Sequence, residues 1–78
     1  MKRKLPLKED TARVLEYLRL YIKERNGVAP SMREIANNCF ISVSQVPRHL
    51  EILEAYGVIR RTAGQARAIW LLDNETEA

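Results

Sequence analysis

Apolar residues recur at helical spacing in the first third of the chain. Val14, Leu15, Leu18, Tyr21 and Ile22 follow an i, i+3, i+4, i+7 pattern, which predicts an amphipathic helix from about Lys8 to Arg25. Glu9 and Asp10 in its first turn, and Lys23 and Arg25 in its last, complement the helix dipole. Gly27 follows as the residue able to stop it in a left-handed conformation. A second start signal lies in PSMREIA, where Ser31 and Glu34 have the spacing of a capping box ahead of Ile35 and Ala36. That helix is short and ends near Asn38–Cys39, where CFIS turns the chain.

A third helix is expected from about Ser42 to Tyr56, closed by Gly57. On a wheel of about 100° per residue, Val43, Val46, Leu50 and Leu53 fall within roughly 80° and are expected to face the core. The opposite side of its N-terminal half carries Ser44, Gln45 and Arg48, with Pro47 and His49 on the flanks and Ser42 at the start. Pro47 is tolerable in a first turn, whose amides have no intrahelical partner, and costs about 3 kcal/mol in a helix interior. If Ser44 is the effective cap, Pro47 is the third helical residue and harmless. If Ser42 is the cap, with Gln45 completing a box, Pro47 breaks a bond and distorts the first turn.

Two apolar runs follow, Val58–Thr62 and Arg67–Leu72, and the small residues of AGQA between them suit a hairpin turn. The order is helix, short helix, turn, helix, hairpin. A short helix followed at once by a longer one is a helix-turn-helix, and a hairpin directly after it is a wing. The expected fold is mainly α with a small β-hairpin, a three-helix winged helix-turn-helix. Strand alternation sends Arg60 and Arg61 to opposite faces, one reaching outward and the other lying against the domain. Trp70 is expected to pack beneath the sheet or against the first helix, and Ile52 stands as the one exposed isoleucine, on the polar side of the third helix.

With 78 residues the chain makes one domain, and 46% hydrophobic with 29% charged residues is a folding composition. Its net charge of +3 is unevenly placed. Residues 1–72 hold 13 bases against 7 acids, a charge of +6, and DNETEA at 73–78 holds three acids. Basic residues 1–6 read as an arm, 7–72 as the domain and 73–78 as an acidic tail. A basic body of this kind suits a polyanionic partner. Ser, Gln and Arg on an exposed helix face are side chains that bond base edges and phosphates in a major groove. Ser42, Ser44, Gln45, Pro47, Arg48 and His49 are therefore the candidate helix contacts. Arg60, Arg61 and Arg67 in the wing, with Lys2, Arg3 and Lys4 in the arm, are the candidate phosphate contacts.

Other chemistries find little support. One His and one Cys provide no zinc-site spacing, three scattered glycines make no phosphate loop, and no catalytic residues, metal or cofactor are expected. Cys39 is alone, has no disulfide partner in the chain and is expected to fill the core at the turn. No apolar run approaches the roughly 20 residues of a membrane span, so a cytoplasmic protein is expected.

Over about residues 7–72 the chain resembles the N-terminal DNA-binding domain of LexA-type repressors. The resemblance rests on VLEYLRLYI, PSMREIA, HLEILEAYGVI and the wing GVIRRTAGQARAIWLL, taken in order. It implies a double-stranded DNA partner, a role in transcriptional repression and a homodimer formed on a two-fold operator. The family also carries a C-terminal self-cleaving protease domain with a Ser–Lys dyad, which is not expected here because the chain stops at Ala78. The family's recognition helix has an asparagine and two glutamates where this chain has Ser44, Pro47 and Arg48, and the turn before it is one residue shorter. The scaffold is thus expected to carry over and the family's operator sequence is not. The alternative is a winged helix that binds another protein, which would need a contiguous apolar surface.

Overall fold

The computed structural model describes residues 7–62 and 68–72. Three helices and a two-stranded hairpin follow one another in the expected order: α1 Glu9–Glu24, α2 Met32–Cys39, α3 Val46–Ala55, β1 Ile59–Arg61 and β2 Ile69–Leu71. A 3-10 turn, Val43–Gln45, stands immediately before α3.

The apolar stripe of α1 buries Val14, Leu15, Leu18, Tyr21 and Ile22, as its spacing requires. Two residues in left-handed conformation, Asn26 at φ 55° and Gly27 at φ 97°, end the helix and let the Gly27 N–H bond the Ile22 carbonyl at 2.9 Å. Ser31 then caps α2 by the predicted box. The Glu34 N–H donates to Ser31 Oγ at 3.1 Å, and the Ser31 N–H donates to Glu34 Oε1 at 2.8 Å. Ser31→Ala removes one half of that exchange and should lower stability by about 1 kcal/mol, read as a shift in the urea midpoint. A shift below a few tenths would show that water replaces the hydroxyl at no cost.

The third helix is not continuous from Ser42. Helix α2 closes with Phe40 in left-handed conformation at φ 61°, and the chain enters α3 through the 3-10 turn. There the Ser42 N–H donates to Gln45 Oε1 at 3.0 Å, and the Gln45 N–H bonds the Ser42 carbonyl at 3.0 Å. This turn winds with about three residues per revolution. Residues before Val46 are consequently out of phase with the α-helical wheel. Val43, expected in the core, is 46% exposed, whereas Val46, Leu50 and Leu53 are fully buried. Pro47 falls in the first turn of α3 itself, where a missing N–H leaves no bond unmade. The Ser42–Gln45 box offered by the second alternative is present but opens the 3-10 turn, while Pro47 falls harmlessly in the first turn of α3, as the Ser44 alternative expected.

The hairpin is antiparallel, with Ile59 opposite Leu71, Arg60 opposite Trp70 and Arg61 opposite Ile69. Ile59 and Ile69 face inward and are buried with Val14, Leu18, Ile35, Leu50 and Leu53 in one core. The register therefore turns Trp70 outward beside Arg60, and it is 49% exposed rather than packed beneath the sheet. Cys39 is fully buried in the core beside the turn, as expected. Burial raises its thiol above the usual range, an effect that the Arg13 charge partly opposes.

Candidate nucleic-acid interface

One end of the domain gathers most of the predicted helix contacts. Ser42, Ser44, Gln45, Pro47 and Arg48 are all exposed, and Val43 joins them. Beneath them, Val46 and Leu50 fix α3 to the core, so the exposed side chains stand on a rigid element. The Ser42 and Ser44 hydroxyl oxygens lie 3.1 Å apart. Because Gln45 Oε1 is taken by the Ser42 amide, the Gln45 NH₂ group is left to donate outward. Arg48 makes no hydrogen bond or ion pair with another described residue, and the first turn of α3 contains no acid. A donor-rich, cationic helix start with its positive dipole end exposed favours an anionic partner.

His49 is placed differently. It is half-buried, and its Nδ1 lies 2.8 Å from Thr11 Oγ, linking α3 to the first turn of α1. Sequence spacing could not reveal Thr11, which lies 38 residues away and is 2% exposed. Ile52 is also partly covered, lining a shallow cavity with Thr11, Arg48 and His49, and is not the exposed isoleucine expected. Other apolar groups among the described residues reach solvent, among them Phe40 at 84%, Leu20 at 56%, Val28 at 51% and Trp70 at 49%.

The two arginines of β1 divide as strand alternation requires. Arg61 turns toward α3, where its Nε donates to Glu54 Oε1 at 2.8 Å. Arg60 faces away from the core, opposite Trp70 on the outer side of the sheet. Arg61 is thus the residue lying against the domain, and Arg60 is the exposed cation among the described residues of the wing. Lys2, Arg3, Lys4 and Arg67 lie outside the described residues, as does the tail at 73–78. Among the described residues no group of three or more His, Cys, Asp or Glu could hold a metal ion, and no helix is long and apolar enough to cross a membrane.

Comparison with known proteins agrees with this architecture. The family model for the LexA DNA binding domain matches residues 4–68. The LexA repressor of Desulfitobacterium hafniense is 41% identical over 66 residues, which cover 83% of this chain and 32% of that repressor. The LexA repressor of Verrucomicrobium spinosum is 44% identical over 64 residues, 81% of this chain and 31% of the repressor. For that of Caldicellulosiruptor saccharolyticus the values are 38% over 76 residues, 96% and 36%. The chain spans about a third of the length of these curated relatives. With a winged helix-turn-helix fold and a family match over residues 4–68, this chain belongs to the LexA DNA-binding domain family.

Proposed function

We propose that this chain binds double-stranded DNA sequence-specifically in the cytoplasm and acts in transcriptional repression, with the N-terminal end of α3 entering the major groove. The observation that carries the reading is the division of one short element. Val46, Leu50 and Leu53 are fully buried on one side, while Ser44, Gln45, Pro47 and Arg48 stand exposed on the other. In the groove, Arg48 is suited to the O6 and N7 acceptors of guanine, and the outward NH₂ of Gln45 to a base acceptor. Val43, which the sequence placed in the core, adds an apolar group that suits a thymine methyl. Ser42 and Ser44 suit the backbone or base edges, and Arg60 the phosphates beside the wing.

Selection from a pool of random duplexes tests this reading. An enriched motif is the expected result, and no enrichment at low salt favours a protein partner instead. That second reading draws on Phe40, Leu20 and Trp70, which are exposed apolar groups. A homodimer formed on a two-fold operator is part of the DNA-binding reading, and sedimentation with and without DNA tests it: pairing on the duplex alone is expected, and a tight dimer without DNA would contradict it.

Neutralising about four to six phosphates gives a slope of log K against log salt near −4 to −5. Arg60→Ala should reduce that slope by about 1 and weaken all sequences alike. An unchanged slope would place the outer face of the wing away from the duplex. Arg61→Ala, in contrast, breaks the pair with Glu54 and should act first on stability.

A further inference from the structure

We infer that Thr11 is a positioning residue for DNA binding, holding His49 so that its Nε2 donates a hydrogen bond to a backbone phosphate. The inference rests on the proposed reading of α3 and adds to it a residue from another helix.

Thr11 is a buried polar side chain with one hydrogen-bond partner to explain it, the His49 ring. The 2.8 Å contact fixes Nδ1, so any partner outside the domain must be met by Nε2. Nε2 has no hydrogen bond to a described residue, and among the described residues no half-buried or buried side chain leaves a fully enclosed nitrogen or oxygen unsatisfied. Nε2 is therefore open to solvent. His49 lines a shallow cavity of about 380 Å³ shared with Lys8, Arg48 and Ile52. Glu9 and Asp10 line the same cavity, but both turn to Arg13, with Asp10 Oδ1 at 2.9 Å and Glu9 Oε2 at 3.7 Å. The lining cations are Lys8 and Arg48, and the two lining acids are already paired with Arg13 beside the cavity.

The chemistry then couples across the ring. Neutral imidazole carries one N–H, and an anionic oxygen at Nε2 selects the tautomer that places it there. Nδ1 becomes an acceptor, and the Thr11 hydroxyl is the donor that satisfies it. Without that hydroxyl the Nδ1 acceptor is left unsatisfied and the ring angle is free, and part of the contact is lost. His49 lies next to Arg48, so the phosphate it reaches flanks the bases that Arg48 reads.

The test uses the duplex enriched in the selection above. Thr11→Val keeps the packing volume and removes the donor, and is expected to weaken binding about three- to tenfold, the value of one hydrogen bond. Thr11→Ser, which retains the hydroxyl, should bind within about twofold of wild type. Adding Thr11→Val to His49→Gln should cost nothing further. Replacing phosphates singly by neutral methylphosphonates should reveal one position that costs the wild type affinity and His49→Gln none. Additive losses for Thr11→Val and His49→Gln would overturn the inference, as would equal methylphosphonate costs at every position. If Thr11→Val is too unstable to titrate, ¹⁵N shifts of the His49 ring in the wild-type complex decide. A protonated Nε2 is expected, and a bare one overturns the inference. Arg48→Ala is measured beside these variants. If it loses preference while Thr11→Val binds normally, the positioning role alone fails; if no variant changes binding, the reading of α3 fails with it.

Discussion

Replacing Leu50 with alanine is expected to destabilise the domain by about 2–5 kcal/mol, the usual cost of a cavity in a packed core. Leu50 is fully buried on α3, between Val46 and Leu53 in sequence and in one core with Val14, Leu18 and Ile59. A chain of this length has about 4–12 kcal/mol of stability in total, so a single substitution removes a large share of it. Val43→Ala is the matched control. The helical wheel gives both residues to the core, but Val43 is 46% exposed, and its truncation should cost under about 0.5 kcal/mol. Urea midpoints of the two variants separate these cases. Similar losses would mean that the turn before α3 packs as a continuous helix after all.

Arg48→Ala should act on binding instead of folding. Arg48 is exposed and makes no hydrogen bond or ion pair with a described residue, so its removal leaves the domain intact. Against the preferred duplex the expected loss is about 1–3 kcal/mol, the range for one bidentate base contact. Against duplexes of unrelated sequence the loss should be much smaller, since a phosphate contact would be shared by all of them. Equal losses on both would make Arg48 a backbone contact and move base reading to Gln45, Ser44 or Val43.

The elements that sequence made legible were those built from local rules. Ser31 and Glu34 announced α2 because a capping box is contained within four residues. The stripe of α1 and the Gly57 stop needed only spacing and a glycine at φ 78°. What stayed hidden depended on geometry beyond the local pattern. Val43 was misplaced because the helical period changes from 3-10 to α between Gln45 and Val46, and a wheel assumes one period throughout. Trp70 was misplaced because its face is set by pairing with Arg60, a register that alternation within one strand cannot supply. The contacts of Thr11 with His49 and of Arg61 with Glu54 join separate elements and leave no trace in spacing. In the candidate site, sequence indicated which side chains were suited to DNA. The structure divided Arg60 from Arg61 and tied His49 to α1.

Base reading, as proposed, falls to the N-terminal end of α3. Parallel selections from the same random-duplex pool, one with the wild type and one with Arg48→Ala, test it most directly. Both proteins should enrich a motif, and one or two base positions should lose their preference in the variant while the rest keep theirs. Identical motifs from the two proteins, or none from the wild type at low salt, would contradict it.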